Sequence, residues 1–296
     1  MTEDLIRNVV QQVLSQMGGH GATTTNGAAR PSGQDGVYPT ADAAVAAAEA
    51  AYRAYRLRPL ADRDRAVKEI KRLCVERAEE WGRKELDETK IGRLDHKISK
   101  LRDAIPPIPG VEYLRTENNA GDNGLTLTQF APFGVIGAIT PVTHSLPTLA
   151  SNAINMLAAG NTVVFNAHPS GARIAAEGVR SFNRAIREAI GLDDLLTIID
   201  PPTIESADAL FKHRGVKLLV VTGGPVVARA ALASNKRAIV AGPGNPPVVV
   251  DGTACLDKAA EAIVKGAAFD NNLLCIGEKQ VFATADIFDK LMETVG

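Results

Sequence analysis

Residues 134–140 read GVIGAIT, and residues 146–160 read LPTLASNAINMLAAG. The first run is short, apolar and partly β-branched, which is typical of a buried strand. The second is longer and repeats its apolar residues every three or four positions, which indicates a helix. The same alternation continues downstream. Further strands are predicted at residues 162–166, 195–200 and 216–223, and further helices at residues 171–191, 205–213 and 225–235.

Strands that alternate with helices form βαβ units, which build a parallel sheet with helices on both faces. The sequence therefore predicts an α/β fold. Ligands of such sheets bind at the carboxyl ends of the strands, in the turns that lead into the helices. Here those turns read TPVTHS (140–145), NAHPSG (166–171) and TGGP (222–225).

The glycine-rich fingerprint of many dinucleotide-binding folds, G-x-G-x-x-G, is absent from the sequence. The turn at residues 222–225 nevertheless precedes a predicted helix, and backbone amides at a helix N-terminus bind phosphate groups. Spacing alone leaves two interpretations of this turn open: a pyrophosphate-binding site and an ordinary tight turn.

The composition favours a globular protein that binds a small molecule. Thirty-three basic residues stand against 34 acidic ones, so the net charge of −1 attracts neither nucleic acid nor an anionic membrane. No apolar run reaches the roughly 20 residues that span a bilayer, and the N-terminus opens acidic, unlike a secretory signal. We therefore predict a cytoplasmic protein. The three cysteines are far apart and form no CxxC pair, which predicts reduced thiols and no metal site.

Residues 1–17 are predicted to form an amphipathic helix. Thr2 suits its N-cap, and the apolar residues make one stripe. That stripe consists of Leu5, Ile6, Val9, Val10, Val13, Leu14 and Met17. Residues 18–36 are rich in glycine and poor in large apolar residues, which predicts a flexible linker. Two roles stay open: the helix packs on the body or within an oligomer, or it docks in the groove of a partner.

The chain from Thr40 to about residue 100 is predicted to be helical. Cys74 lies on the apolar face of this pattern, which predicts a thiol in the core. His96 has no second ligand candidate three or four residues away, and we expect it on the surface. The stretch NGLTLTQFAPFG (123–134) alternates in polarity and predicts a strand.

The stretch FDNNLLCIGEK (269–279) places Cys275 between a helical run and a strand-like run. From the residues alone, Cys275 is either a nucleophile or one more buried thiol, because free cysteines are often buried.

Four motifs together resemble the aldehyde dehydrogenase superfamily. They are APFGVIGAITP (131–141), NMLAAGNTVVF (155–165), VVTGG (220–224) and NNLLCIGEK (271–279). The dipeptide HP (168–169) and the segment AGPGNPP (241–247) resemble its coenzyme-A-acylating branch, notably the propionaldehyde and acetaldehyde dehydrogenases of bacterial microcompartments. In those enzymes, an N-terminal amphipathic helix on a flexible linker directs the enzyme into a protein shell.

The resemblance implies an aldehyde dehydrogenase-like fold with a parallel, Rossmann-like NAD-binding domain, a catalytic domain that carries the cysteine, and an oligomerisation arm. We expect a targeting helix at residues 1–17, a linker at 18–36, a helical region and the NAD-binding domain at 37–250, and the beginning of the catalytic domain at 251–296. Residues 1–18 would bind a shell protein, and the full-length enzyme would be a homo-oligomer. The family's catalytic domain is longer, so we expect either a part of a larger enzyme or a natural truncation that catalyses poorly.

The resemblance assigns the nucleophile to Cys275 and a structural role to Cys255. Attack of the Cys275 thiolate on an aldehyde would give a thiohemiacetal. Its oxyanion would be held by the backbone amide of Cys275 and by Thr143, which stands where hydrolytic relatives have an asparagine. Hydride transfer to NAD would then leave an acyl thioester on Cys275.

The fate of this thioester depends on residue 241. Hydrolytic relatives place a glutamate there as a general base, which water needs because its pKa is about 15.7. This sequence has Ala241, whose methyl group cannot accept a proton. A thiol with a pKa near 8.5 needs less help to attack. Coenzyme A is therefore the expected acceptor, and acyl-coenzyme A the expected product.

The resemblance also places one set of residues around NAD or coenzyme A. These are Thr140, Pro141, Asn166, His168, Pro169, Gly223, Gly224 and Gly242. Asn166 stands where hydrolytic relatives have a lysine, so we expect different cofactor contacts there. His168 is expected to be a hydrogen-bonding group in the ligand site instead of a metal ligand, and His144 receives no role.

The predicted function is the NAD-dependent oxidation of a short-chain aldehyde to its acyl-coenzyme A, within a bacterial microcompartment. Two alternatives stay open. A hydrolytic aldehyde dehydrogenase would form NADH without coenzyme A. A non-catalytic, shell-associated binding protein would bind NAD without turnover.

Overall fold

The computed structural model describes residues 34–296. The predicted helix at residues 1–17, and the predicted linker as far as residue 33, lie outside the described residues. Among those that are described, no helix has the length and hydropathy to cross a membrane.

Helices and strands alternate through most of the described chain. The helices are α1 (Ala41–Tyr55), α2 (Leu60–Glu76), α3 (Ala78–Thr89), α4 (Leu94–Arg102), α5 (Ser145–Ala158), α6 (Ala172–Ile190), α7 (Ile204–Lys212), α8 (Pro225–Leu232), α9 (Leu256–Ala268) and α10 (Phe288–Val295). The strands are β1 (Val37–Tyr38), β2 (Glu117–Gly121), β3 (Gly124–Thr128), β4 (Val135–Thr140), β5 (Thr162–Ala167), β6 (Leu196–Ile199), β7 (Val216–Thr222), β8 (Ala238–Ala241), β9 (Pro247–Val250) and β10 (Gln280–Ala283).

Six strands form one parallel sheet in the order β1-β6-β5-β4-β7-β8. Every residue of β4, β5 and β6 is buried, as expected for strands that are covered on both faces. The predicted α/β fold is confirmed. From β4 the chain builds the sheet first towards β5 and β6 and later, in the opposite direction, towards β7 and β8. Doubly wound sheets bind their ligands at such a switch point.

The two faces of the sheet bury two separate cores. Along β4, Ile136 belongs to the core that α2, α5 and α6 cover, whereas Val135 and Ile139 belong to the core under α1, α7 and α8. This alternation follows from the period of two residues in a strand. Cys74 on α2 is fully buried in the first core, so its predicted place is confirmed.

The predicted N-terminal helical region is divided into several helices. Thr40 caps α1, because its side chain accepts a hydrogen bond from the Ala43 amide at 3.2 Å. The helical pattern that continues past Cys74 is interrupted at Arg77, which separates α2 from α3. Beyond these helices, β3 pairs with β2 in an exposed antiparallel hairpin.

Residues 34–36 of the predicted linker are fixed to the body. Asp35 forms ion pairs with Arg184 at 2.6 Å and Arg187 at 3.0 Å, both on α6. Gly36 has a φ of +92°, and a Cβ at this position would lie 2.2 Å from the Asn183 side chain. The packed part of the chain therefore includes the last residues of the predicted linker.

The residues after β8 form a separate small layer. Strand β9 pairs in parallel with β10, apart from the six-stranded sheet. Val250, Ile263 and Leu291 make the core of this layer. The predicted domain boundary after residue 250 falls at the end of β9.

Candidate active site

The predicted cofactor residues lie at the carboxyl edge of the sheet. Thr140 ends β4, and Gly223 follows β7. The His168 amide donates to the Thr140 carbonyl at 3.0 Å, and the Gly223 amide donates to the Ala241 carbonyl at 3.2 Å. These bonds join the ends of adjacent strands. The remaining residues of the set lie at the same ends of these strands or just after them. They are Pro141, Asn166, Pro169, Gly224 and Gly242.

Local geometry at this edge fits a nucleotide. Gly224 caps α8, and a Cβ at Gly224 would meet no atom within 4 Å, so a phosphate can approach the amides that begin this helix. Within the described chain, the hydroxyl of Thr140 is buried and has no hydrogen-bond partner. An unpaired buried hydroxyl at a ligand edge suits a polar group from outside. This geometry is compatible with a nucleotide cofactor.

Asn166 and His168 each use one side-chain atom in a hydrogen bond within the protein. Asn166 is buried, and its side-chain oxygen accepts a hydrogen bond from the Ser206 hydroxyl at 2.7 Å. The Nδ1 atom of His168 accepts from the Ser170 amide at 3.1 Å. Burial lowers the pKa of His168, which favours the neutral imidazole. The amide nitrogen of Asn166 and the Nε2 atom of His168 are the atoms left for a ligand.

Cys275 lies in a tight turn between α9 and β10. The turn opens with Asp270, Asn271 and Asn272, all at positive φ, and Leu274 is buried beside the half-buried Cys275. Lys279 closes it, because its ammonium donates to the Leu274 carbonyl at 3.0 Å. Together these contacts define the cysteine turn, residues 269–279.

The segment at residues 241–247 runs alongside this turn. A Cβ at Gly244 would lie 2.0 Å from the carbonyl oxygen of Cys275, and the Lys279 amide donates to the Pro246 carbonyl at 3.0 Å. Ala241 begins the same segment and ends β8. The methyl group of Ala241 therefore stands on the segment that contacts the backbone of Cys275.

A buried ion pair lies between the cysteine turn and the loop that carries Thr143. Lys100 on α4 pairs with Asp270, and both side chains are almost fully buried. The same ammonium donates to the Thr143 carbonyl at 3.3 Å. Asp270 also accepts the Arg93 amide at 2.8 Å. The structure thus connects Thr143 and the cysteine turn through Lys100, a residue that the sequence analysis did not select.

A second buried pair lies one helical turn away. Lys97 contacts Glu85 at 3.2 Å, and Glu85 also accepts the Ser145 amide at 3.2 Å. Burial raises the pKa of Glu85 and lowers that of Lys100. Burial, together with the charges of Lys100 and Lys97, lowers the pKa of His144 to about 3. His144 is therefore neutral near pH 7.

The predicted surface position of His96 is wrong. His96 is only partly exposed: its Nδ1 atom accepts the Asp270 amide at 2.7 Å, and its ring stacks on Phe269 with 4.3 Å between centroids. Its neighbours in space come from a distant part of the chain, so spacing could not reveal them. Cys255 is exposed at the N-cap of α9, and its structural role stays a prediction.

Comparison with known proteins settles the family. Residues 30–296 match the sequence profile of the aldehyde dehydrogenase family. The chain belongs to the aldehyde dehydrogenase family. Among its relatives in that family, it is 41% identical over 295 residues to acetaldehyde dehydrogenase (acetylating) EutE of Salmonella typhimurium, which covers 99% of this chain and 61% of the relative. It is 32% identical over 291 residues to the propanal dehydrogenase (CoA-propanoylating) of the same organism, over 98% of this chain and 61% of that relative.

Solved structures of the aldehyde dehydrogenase family agree with this fold. Propionaldehyde dehydrogenase of Rhodopseudomonas palustris with bound propionyl-CoA superposes with a TM-score of 0.82 at 45% identity, over 88% of this chain and 58% of that one. A propionaldehyde dehydrogenase from the fucose utilisation microcompartment of Clostridium phytofermentans gives 0.82 at 41% identity, over 88% and 60%. The predicted resemblance to the acylating branch is confirmed. The chain spans about 61% of the length of the curated relatives above.

Proposed function

We propose that the enzyme to which this chain belongs oxidises a short-chain aldehyde with NAD as acceptor and releases the product as an acyl-coenzyme A. The observation that carries the proposal is Ala241, on the segment whose Gly244 contacts the Cys275 carbonyl. Relatives named as acetylating or CoA-propanoylating support the same chemistry.

The residues of this chain would divide the work as follows. The half-buried Cys275 attacks the aldehyde carbonyl, and its own amide and Thr143 hold the resulting oxyanion. The carboxyl edge, with Thr140, Gly223 and Gly224, holds NAD, which supplies the hydride acceptor when bound. A solved relative, an engineered glycolyl-CoA reductase, binds NADP+, which supports a nicotinamide cofactor at this edge.

The thioester on Cys275 would then pass to coenzyme A and not to water. The coenzyme A sulfur forms a new bond to the acyl carbon, the bond from that carbon to Cys275 Sγ breaks, and the thiol proton is exchanged between the two sulfurs. A methyl group at residue 241 cannot activate water. Asp270 does not reach water in this structure, because its side chain is fully buried and paired with Lys100.

The half-reaction in reverse tests this proposal directly. Purified protein is incubated with propionyl-CoA, and intact and peptide mass spectrometry locate the propionyl group. We expect a propionyl thioester on Cys275 in the wild type and in the matched control Cys255→Ser, and none in Cys275→Ser. Coenzyme-A-dependent NADH formation from propanal tests the forward reaction. NADH formed at the same rate without coenzyme A would show a hydrolytic enzyme, and NAD binding without either reaction would show a binding protein.

We further propose that residues 1–18 direct the enzyme into a bacterial microcompartment by binding a shell protein. The apolar stripe of the predicted helix supports this, as does the origin of the Clostridium phytofermentans relative. A fluorescent protein fused to residues 1–18 should form puncta in cells that build microcompartments. A variant with Leu5→Asp and Val9→Asp should stay diffuse, and a diffuse signal from the unaltered fusion would refute the targeting role.

A further inference from the structure

Lys100 contacts two segments that are far apart in sequence. It lies 43 residues before Thr143 and 170 residues before Asp270, yet its ammonium donates to both. The proposed function uses Thr143 in the oxyanion site, and Asp270 lies in the turn that carries Cys275. One buried side chain therefore joins the two segments on which the proposed catalytic groups lie.

Asp270 is bound by residues of α4 and by the residues that immediately precede this helix. Its oxygens accept Lys100 and the Arg93 amide, while its own amide donates to His96 at 2.7 Å. A Cβ at Gly92 would lie 2.3 Å from a carboxylate oxygen of Asp270, so the turn approaches this backbone closely. Asp270 has a φ of +49°, a conformation that persists when the surroundings enforce it. The start of the cysteine turn is thus held by α4 and by the two residues that precede it.

An ion pair is an unusual way to fill this position. Apolar residues of similar size fill a core at least as well, because burying two charges removes both from water. The ion pair differs from apolar packing in that its hydrogen bonds are directional. The Lys100 ammonium donates to two oxygens, and the Asp270 carboxylate accepts from two donors. A catalytic site requires its groups to be held within about 0.5 Å.

We propose that Lys100 and Asp270 are positioning residues that fix the cysteine turn relative to the Thr143 loop. The effect on catalysis rests on the proposed function. The effect on the position of the cysteine turn is independent of that function. The hydrogen bonds of the two side chains go to each other, to the Thr143 carbonyl and to the Arg93 amide. Their effect on Cys275 is exerted through the backbone of residues 270–275.

Four variants distinguish a positioning role of the ion pair from a role in the stability of the fold alone. Lys100→Met leaves Asp270 buried without its cation, and Asp270→Asn leaves Lys100 without its anion. The double variant Lys100→Met with Asp270→Asn removes both charges, and asparagine tolerates the positive φ at residue 270. Lys97→Met is the matched control: it removes an equally buried ammonium one helical turn away, and Lys97 forms its ion pair with Glu85.

Two readouts are measured on each variant at a temperature where its circular dichroism shows it folded. The first is the rate of iodoacetamide labelling at Cys275, with the exposed Cys255 as internal standard. The second is the rate of propionyl transfer from propionyl-CoA to Cys275. We expect Lys100→Met and Asp270→Asn to raise the labelling ratio and to slow acyl transfer about tenfold or more, since a misplacement of about 1 Å can cost about a hundredfold in rate.

The double variant decides between the two roles. We expect it to recover the thermal stability that the single variants lose, because no unpaired buried charge remains, while its acyl transfer stays slow. Recovery of the transfer rate together with stability, or Lys97→Met slowing transfer as much as Lys100→Met, would overturn the positioning role. If the wild type transfers no propionyl group, the proposed function fails; an unchanged Cys275 labelling ratio in the single variants then separately refutes the placement of the turn.

Discussion

Gly244 packs directly against the carbonyl group of Cys275, with room for a hydrogen and not for a methyl group. A Cβ there would lie 2.0 Å from the carbonyl oxygen. The two residues belong to segments that meet only in the folded chain. Because the contact is with backbone, a side chain at residue 244 cannot be accommodated by a change of rotamer.

Gly244→Ala is therefore expected to displace the cysteine turn. Overpacking of this kind costs about 1–3 kcal/mol, which predicts a lower midpoint in thermal unfolding. Gly242→Ala is the matched control in the same segment, because a Cβ at Gly242 meets no atom within 4 Å. Equal unfolding midpoints for Gly244→Ala and Gly242→Ala would contradict the close contact.

Ala241→Glu is expected to convert part of the reaction to hydrolysis. The new carboxylate would stand on the segment that contacts Cys275 and would activate water against the thioester. NADH formation from propanal without coenzyme A, followed by the absorbance of NADH, should rise above the wild-type level. Ala241→Gln has nearly the same size and no base, so it should not gain this activity. An equal gain in both variants would show that size, and not proton transfer, is responsible.

The three cysteines should differ in reactivity. Cys74 is fully buried, and burial raises its pKa, whereas Cys255 is exposed and Cys275 is half-buried. The thiolate is the reactive form. Ellman's reagent should titrate Cys255 and Cys275 in the folded protein and Cys74 only after denaturation. Labelling of Cys74 in the folded state, located by peptide mapping, would place it outside the core.

His144 should make the protein less stable in mild acid. Its folded-state pKa of about 3 lies below the unfolded value near 6.5, so between these values the unfolded chain binds a proton that the folded one does not. The stability present above pH 6.5 is therefore lost as the pH falls, by up to about 1.4 kcal/mol per pH unit from this group.

His144→Asn should flatten this dependence in urea unfolding between pH 6 and pH 4. His213→Asn is the control, because it removes a histidine that lies outside the candidate active site and contacts Asp42 at 3.3 Å. The same slope in wild type and His144→Asn would mean that His144 is protonated in the folded protein.

The sheet and its helices could be predicted because each carries its own local period. The strand predicted at residues 162–166 is observed as Thr162–Ala167, and the helix predicted at 205–213 as Ile204–Lys212. Strand β2 was missed, since its sequence ENNAG lacks strand-forming residues and its pairing is set by β3.

The charged contacts around Cys275 could not be predicted in the same way. Helix α4 buries Lys97 and Lys100, although lysine is almost never fully buried without a partner. Those partners, Glu85 and Asp270, come from another helix and from a turn 170 residues downstream of Lys100. Only the fold brings these opposite charges together, and no periodicity encodes them. Cys275 itself was found through its motif.

The ion pairs of Asp35 with α6 hold the first described residues against the body of the protein. Residues 34–36 precede β1, and Gly36 lies against the carbonyl of Leu196, which begins β6. Both strands are parallel to the rest of the sheet, so this point is at the amino edge, opposite Thr140 and Gly223. The described chain therefore begins at the end of the sheet that lies away from the candidate active site.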